Sequence, residues 1–199
     1  LFYNVPHDKL LSNKRTKELS KTLILKKASK SNAIKPLSIR NESRDTTHYS
    51  IIDSDGNAVS NTYTLGASFG SGVTIPGTGI LMNNQMNNLV YQKGDIEIEG
   101  RRVSPGNRFM PGKRPMSTMA PTMIFNNENK LILITGSPGG SYIPAAILRV
   151  VTGVIDFELP IGDATMLPRI HKDWPYDGLD YEKNISSDIV KALNRMGHK

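Results

Sequence analysis

The residue of this sequence best placed to do chemistry is Thr46, which lies between a basic leader and a sharply patterned two-strand unit. A threonine hydroxyl becomes a nucleophile only when a base removes its proton. If the chain is cut before Thr46, the freed α-amine lies within reach of the threonine side chain and titrates near neutral pH. The junction between Asp45 and Thr46 therefore suggests a nucleophile that chain cleavage would activate.

Two glycine-rich segments suggest further chemistry. Residues 136–140, Gly-Ser-Pro-Gly-Gly, precede an apolar helix, and their backbone N–H groups suit an anion cradle or an oxyanion hole because glycine has no Cβ to block approach. From this turn alone, an ordinary strand-to-helix connection is the preferred interpretation. Residues 66–70 match the G-x-S-x-G pattern of a serine nucleophile elbow. The glycines and the proline that follow forbid the helix an elbow requires, so a loop is expected.

For the remaining polar residues, a structural role is preferred over a catalytic one. His48 lies in an alternating strand with no carboxylate at a suggestive spacing, and the other three histidines stand in unrelated contexts. The amide-rich residues 83–88 offer donors and acceptors for a carboxylate and an ammonium, although a polar loop is the simpler interpretation of this cluster alone. No metal-binding motif is present, and no cofactor is expected.

The composition excludes some classes of protein and of catalytic chemistry. The chain has 199 residues, enough for one core, and no cysteine, which excludes a disulfide framework and thiol catalysis. Its net charge of +7 lies wholly in residues 1–45, which carry eleven Lys/Arg against four Asp/Glu. This leader lacks interleaved aromatic residues, so a solvated surface is preferred over nucleic-acid binding. The longest apolar run, 143–155, is too short to cross a bilayer. From its two ends, we expect this sequence to be part of a longer chain.

Local patterns predict an α+β order of elements, with hairpins first and helices after them. Turn signals at 54–57 and 126–129 each join two runs of β-branched and aromatic residues. The predicted strands are 48–54, 58–65, 80–82, 122–125 and 130–135. The predicted helices are one within 9–30, then 141–154, 162–167 and 188–196, of which the last is capped by Ser186 or Ser187. Residues 29–45 are expected to form a loop, and 90–114 a long excursion.

Several short blocks of sequence, taken in order, resemble a known protein family. They are TTHYS at 46–50, DGNAV at 55–59, TYT at 62–64, LMNNQM at 81–86, KRPMSTMAPT at 113–122 and GSPGGS at 136–141. Together these blocks closely resemble the gamma-glutamyltransferase (gamma-glutamyl transpeptidase) family over residues 46–170. The leader resembles the end of the family's large subunit.

The resemblance implies an N-terminal-nucleophile hydrolase fold, an αββα sandwich, made as a zymogen that cuts itself. Residues 1–45 would end the large subunit, and residues 46–199 would form most of the catalytic small subunit, truncated at its C-terminus. Autocatalytic cleavage between Asp45 and Thr46 would make Thr46 the nucleophile. The roles implied for other residues are Thr64 as the group that orients Thr46, Gly139 and Gly140 as oxyanion-hole donors, Ser117 and Thr118 as ligands of the substrate α-carboxylate, and Gln85 as a contact of the α-amino group.

The implied activity is transfer of a γ-glutamyl group from glutathione-like amides to water or an acceptor amine. Two residues depart from the family pattern: Asn88 stands where an aspartate is usual, and Gly66 where an asparagine is usual. Both positions normally help to hold the substrate α-ammonium, so γ-glutamyl recognition should weaken or change its geometry. Asn88 and the runs 111–114 and 119–122 look like the branch that acts on poly-γ-glutamate capsule.

Three alternatives therefore stay open beside the glutathione enzyme. They are a capsule transpeptidase or hydrolase, a cephalosporin-acylase-like relative, and an inactive fragment or binding remnant. The partner implied by the family is the rest of the large subunit, in a heterodimer. The location implied is periplasmic, secreted or at the cell surface.

Overall fold

A computed structural model describes residues 7–30, 45–89, 97–98, 101–102, 107–173 and 177–199. The predicted α+β order is confirmed in this part of the chain. The helices are α1 (His7–Leu10), α2 (Asn13–Ser20), α3 (Ile143–Ile155), α4 (Ile161–Met166) and α5 (Ser187–Arg195). The strands are β1 (Asp45–Ile52), β2 (Ala58–Gly66), β3 (Glu97–Ile98), β4 (Arg101–Arg102), β5 (Thr122–Phe125), β6 (Leu131–Thr135), β7 (Ile170–His171) and β8 (Asp180–Tyr181). Short 3₁₀ turns cover Gln85–Asn88 and Gly140–Tyr142.

Among the described residues the strands form four antiparallel pairs, each made of sequence neighbours: β1 with β2, β3 with β4, β5 with β6, and β7 with β8. The two main hairpins are those that the turn signals predict. They are joined where the Ser60 hydroxyl donates to the Thr135 carbonyl at 3.2 Å. This bond brings the middle of β2 to the end of β6, directly before the glycine-rich turn.

The buried core lies around α3. The buried apolar residues are Leu89, Leu133, Ile143, Ala146, Ile147, Val150 and Ala164. Helix α3 packs closely on α4 because Gly153 has no side chain: a Cβ at this position would meet the Cβ of Ala164 at 2.9 Å. The core therefore fixes the helix that follows the glycine-rich turn.

The helix predicted within 9–30 is confirmed as α2, whose N-cap is Ser12: its side chain accepts from the Arg15 backbone N–H. A second short helix, α1, precedes it. Two other predictions of local structure were wrong. Residues 80–82 are not a strand: Leu81 pairs with Thr74 in an isolated bridge. Strand β1 begins at Asp45, three residues earlier than predicted. Residues 31–44 of the expected loop, and most of the excursion at 90–114, lie outside the described residues.

The helices after the second hairpin are confirmed with small shifts in their bounds. Helix α5 has Ser186 as its N-cap, and the Ser186 hydroxyl accepts from the Asp188 N–H at 3.3 Å. Gly197 follows the helix with a φ of 94°, as expected for a C-terminal stop. In the part of the chain that is described, no helix has both the length and the apolar character needed to span a membrane.

Candidate active site

The first hairpin places Thr46 directly opposite Thr64. In its register Thr46 faces Thr64 and Asp45 faces Gly66, and the pairing is irregular between Asp45 and Thr46. The hairpin is closed by Asp53, whose carboxylate accepts from the Asn57 side chain at 2.8 Å and from the Asn57 and Asp55 backbone N–H groups. These bonds, led by that of the Asn57 side chain, hold the pKa of Asp53 below its ordinary value. The local turn therefore sets the register that brings the two threonines together.

The hydroxyl of Thr64 is directed at the peptide bond that precedes Thr46. Its Oγ1 donates to the Asp45 carbonyl oxygen at 2.7 Å and accepts from the Gly66 backbone N–H at 2.9 Å. The sequence prediction has Thr64 orienting Thr46 itself. In this uncut chain the acceptor lies one residue earlier, on the carbonyl that a self-cleavage would attack. A donor at this oxygen draws electron density from the carbonyl carbon and favours nucleophilic attack.

Gly66 at the end of β2 is required by its surroundings. Its φ is 93°, and a Cβ would collide with Asn84 Oδ1. The same Asn84 oxygen accepts from the Ala67 N–H at 3.0 Å, and the Asn84 N–H donates to the Leu65 carbonyl at 2.8 Å. An asparagine at position 66 would be strained at this φ and would have to displace the Asn84 side chain. The amide cluster instead docks on the end of β2 through Asn84.

Asn88 is buried within the amide cluster. Its Nδ2 donates to Gln85 Oε1 at 2.8 Å and to the Met116 carbonyl at 3.2 Å, while its own carbonyl accepts from Asn107 Nδ2 at 2.6 Å. An aspartate here would turn a donor toward two oxygen acceptors into a third acceptor. This neighbourhood therefore selects an amide at position 88, and it ties Gln85 to the backbone just before Ser117.

Ser117 and Thr118 are the predicted ligands of the substrate α-carboxylate, and Thr118 is hydrogen-bonded to the glycine turn. The Ser117 hydroxyl accepts from the Met119 N–H at 3.1 Å, and the Thr118 hydroxyl donates to the Gly140 carbonyl at 2.8 Å. Gly139 and Gly140 have φ values of 127° and 58°, conformations that other residues rarely adopt. This left-handed backbone precedes α3, where helix N–H groups and the helix dipole favour a negative charge.

The predicted site residues thus belong to one connected set of contacts. It runs from Asp45, Thr46 and Thr64 at the hairpin end, through Gly66 and Gln85 to Asn88, and on through the segment of Ser117 and Thr118 to the turn of Gly139 and Gly140. The two main hairpins hold its two ends. A hydroxyl, a polarised carbonyl, amides and a glycine turn are what acyl transfer to a threonine requires.

His48 supports the turn and is placed as a structural residue. Its Nδ1 lies 2.7 Å from Thr62 Oγ1 and its Nε2 lies 3.1 Å from Ser50 Oγ. The ring occupies the space that a side chain at Gly136 would fill. Burial lowers the pKa of His48. The serine of the G-x-S-x-G segment has no helix after it, because Gly70 and Gly72 have positive φ and residues 67–72 form turns.

Sequence reasoning missed the contribution of β7 and β8. With the glycine turn, this hairpin lines a cleft of about 520 Å³. Tyr142 stacks on His171 with ring centroids 4.2 Å apart, and its hydroxyl donates to Asp180 Oδ2 at 2.6 Å. Ser141 Oγ donates to Asp173 Oδ2 at 3.2 Å, and His171 Nε2 lies 3.2 Å from Asp173 Oδ1. Two-residue strands have no detectable alternation, so His171 has no sequence signal as a neighbour of the turn.

The described residues hold no group of three His, Asp or Glu side chains suited to a metal ion. The hydroxyls, amides and backbone N–H groups described above can donate hydrogen bonds to a developing negative charge. That donor set matches acyl transfer through an oxyanion.

Comparison with known proteins agrees with this class of site. The family model for gamma-glutamyltranspeptidase matches residues 1–199, and the chain belongs to this family. Its α+β fold is accordingly that of the N-terminal-nucleophile hydrolases.

Individual relatives give the extent of the match. The chain is 40% identical over 199 residues to the glutathione hydrolase proenzyme of Escherichia coli K12, covering all of this chain and 34% of that protein. It therefore spans about a third of the length of this curated relative. A gamma-glutamyltranspeptidase mutant of Helicobacter pylori is 42% identical with a TM-score of 0.69, over 77% of this chain and 82% of the other. The transpeptidase CapD of Bacillus anthracis is 29% identical with a TM-score of 0.55, over 77% and 75%.

Proposed function

We propose that the protein to which this chain belongs is a gamma-glutamyltransferase and glutathione hydrolase that cleaves itself before Thr46. The observation that carries this proposal is the hydrogen bond from the Thr64 hydroxyl to the Asp45 carbonyl, 2.7 Å long, beside a register irregularity at Thr46. A polarised carbonyl next to a threonine is the arrangement that an intramolecular acyl shift needs. Similarity to proenzymes supports the same conclusion.

The cleavage step balances as an acyl shift followed by hydrolysis. Thr46 Oγ attacks the Asp45 carbonyl carbon, the C–N bond breaks, and the proton of the hydroxyl ends on the threonine nitrogen. Water then hydrolyses the resulting ester, which frees the Asp45 α-carboxylate and restores the Thr46 hydroxyl. The product has an α-amine on the same residue as the nucleophile, so that the amine serves as its general base.

Turnover of substrate repeats this chemistry between molecules. Thr46 Oγ attacks the γ-carbonyl of a γ-glutamyl amide, and the N–H groups of the Gly139–Gly140 turn stabilise the oxyanion. The amine leaves with a proton, and water or an acceptor amine then releases the glutamyl group. Ser117 and Thr118 would bind the substrate α-carboxylate, while Gln85 and Asn88 would face its α-amino group.

The same proposal divides the chain at the cleavage site. Residues 1–45 would remain with a large subunit and residues 46–199 with the catalytic subunit. Apolar side chains on the first hairpin support a covering partner: Ile51 and Ile52 are 55% and 61% exposed. Burying such side chains favours association, because apolar area is removed from water. We expect the two cleaved chains to stay together as a heterodimer.

The preferred donor is a small γ-glutamyl amide such as glutathione. The chain is 40% identical to the glutathione hydrolase proenzyme of Escherichia coli K12, which favours this donor. Asn88 argues for a changed contact with the α-ammonium, because its amide nitrogen is already committed to Gln85 and Met116. Poly-γ-glutamate is therefore the competing donor to test.

The test uses the full-length precursor. Mass spectrometry should find a new N-terminus at Thr46, and the cleaved protein should release amine from glutathione faster than from poly-γ-glutamate. Thr46→Ala should abolish both cleavage and turnover, whereas Thr47→Ala, at the exposed neighbouring position, should retain both. An intact wild-type precursor, or cleavage that persists in Thr46→Ala, would overturn the proposal.

A further inference from the structure

Ser68 contacts the residue that the cleavage would separate from Thr46. Its hydroxyl donates to Asp45 Oδ2 at 3.0 Å. This is the serine of the G-x-S-x-G segment, which is not a nucleophile elbow and has no part in the acyl transfer described above. Its neighbours in sequence, Thr64 and Gly66, already belong to the site. The contact therefore gives the segment a place beside the scissile bond.

Hydrogen bonds of the backbone hold the loop that carries Ser68. The Gly70 N–H donates to the Ala67 carbonyl at 2.8 Å, and the Ser71 N–H donates to the Met82 carbonyl at 2.9 Å. The Ala67 N–H is in turn bonded to Asn84 Oδ1. These bonds fix the turn that holds the Ser68 backbone within reach of the Asp45 carboxylate. Ser68 is thus able to fix the position of the Asp45 carboxylate.

The backbone carbonyl and the side-chain carboxylate of Asp45 each accept a hydrogen bond from a hydroxyl at or just after the end of β2. Thr64 donates to its carbonyl and Ser68 donates to its carboxylate, at the point where the strand register is irregular. Attack by Thr46 requires the carbonyl carbon to lie in reach of Oγ at a narrow range of angles. Two anchors on one residue restrict the carbonyl to fewer orientations than one anchor does.

We propose that Ser68 is a positioning residue for self-cleavage, acting through Asp45 and only in the precursor. The inference rests on the proposed cleavage before Thr46. It assigns Ser68 no bond to a reacting atom: the acyl shift and hydrolysis run as written above, with Thr46 as nucleophile. After cleavage Asp45 is the last residue of the other chain, so the Ser68 contact has no part in turnover.

The experiment measures the first-order rate of cleavage of the full-length precursor by mass spectrometry. Ser68→Ala should cleave about 10-fold more slowly, the effect of losing one hydrogen bond to a charged group. Ser68→Thr retains a hydroxyl and should recover most of the rate. Ser71→Ala is the matched control, because Ser71 is in the same loop but its hydroxyl donates to the Met82 carbonyl. That control should stay within about twofold of wild type.

A double-mutant cycle separates positioning from general damage to the loop. Asp45→Ala should slow cleavage as much as Ser68→Ala, and the double variant should be no slower than the slower single variant. Once fully cleaved, Ser68→Ala protein should have wild-type kcat and KM for glutathione. Multiplicative rate losses, wild-type cleavage in Ser68→Ala, or a lowered kcat in its cleaved form would each overturn the inference.

Failure of this inference is distinct from failure of the proposed function. If wild type cleaves at Thr46 and turns over glutathione, and Thr46→Ala does neither, the proposed function stands whatever Ser68→Ala does. If Ser68→Ala fails to fold, as judged by circular dichroism, Asp45→Ala and Asp45→Asn take its place. Loss of the carboxylate in Asp45→Ala should slow cleavage about 10-fold, and the amide oxygen that Asp45→Asn introduces should recover part of the rate. Wild-type rates in both variants would overturn the inference.

Discussion

The hydroxyl of Thr64 donates a hydrogen bond to the carbonyl oxygen of Asp45, across the hairpin from Thr46. This bond falls on the acyl group of the peptide bond that the proposed cleavage would break, and not on Thr46 itself. If Thr46 attacks this carbonyl as proposed, Thr64 is placed to stabilise the negative charge that develops on its oxygen. The proposed cleavage would leave that acyl group on another chain, and the same hydroxyl would then be available to a different partner.

This placement predicts a larger defect in cleavage than in folding for Thr64→Val. The variant keeps the shape of the side chain but removes the hydroxyl, which is both the donor to Asp45 and the acceptor of the Gly66 N–H, so cleavage should slow about 10- to 100-fold. Thr64→Ser, which keeps the hydroxyl, is the matched control and should cleave within about 10-fold of wild type. Cleavage is followed by mass spectrometry of the precursor. Equal rates for the two variants would show that the bond to Asp45 does not assist cleavage.

Asn88→Asp is predicted to destabilise the protein at neutral pH. The buried amide nitrogen of Asn88 donates to two oxygens, on Gln85 and Met116, and a carboxylate would face both of them without a proton. The free energy of unfolding should fall by about 1–3 kcal/mol. Burial beside two oxygen acceptors should raise the pKa of a carboxyl at position 88, and its protonated form can donate to one of them. Urea denaturation at pH 7.5 and at pH 5 should therefore show the deficit shrinking at the lower pH.

The control for Asn88 lies next to it in sequence. Asn87 is exposed in the same 3₁₀ turn, so Asn87→Asp should change stability by less than about 0.5 kcal/mol. If Asn88→Asp is as stable as Asn87→Asp at pH 7.5, the hydrogen bonds described do not select an amide at position 88. In that case the family's usual aspartate would be compatible with this backbone.

The parts of the site that sequence could predict are those set by local chemistry. Alternation and turn residues fix the first hairpin, so the pairing of Thr46 with Thr64 follows from the turn at Asp53–Asn57. The contacts of Asn88 with Met116 and of Thr118 with Gly140 could not be predicted in this way, because these partners lie 28 and 22 residues away along the chain. The acceptor of the Thr64 hydroxyl could not be predicted either, because one irregularity in the strand register changes which residue the hydroxyl contacts.

His48 is predicted to make stability depend on pH. Burial lowers its pKa below the ordinary value of 6.5, so between the folded pKa and 6.5 the unfolded chain binds more protons. The free energy of unfolding should therefore fall as the pH drops through this window. Above pH 6.5, where His48 is neutral in both states, it should show no further dependence on His48. Urea denaturation from pH 7.5 to pH 5 at constant ionic strength measures the slope. His48→Gln should flatten it, and an unchanged slope would contradict the prediction.

Tyr142 is predicted to support the glycine turn through its phenol. Its hydroxyl donates to Asp180, its ring stacks on His171, and its backbone N–H donates to the Gly139 carbonyl at 3.1 Å. Removing the hydroxyl loosens the link between β8 and the turn that would hold the oxyanion. Because the oxyanion forms only after attack on the bound substrate and is absent from the ground-state complex, Tyr142→Phe should lower kcat for glutathione about 3- to 10-fold with KM nearly unchanged. Tyr181→Phe makes the same chemical change in the same cleft at a half-exposed side chain and should leave kcat within about twofold. A rise in KM at constant kcat in Tyr142→Phe would show instead that the phenol acts on substrate binding and not on the turn.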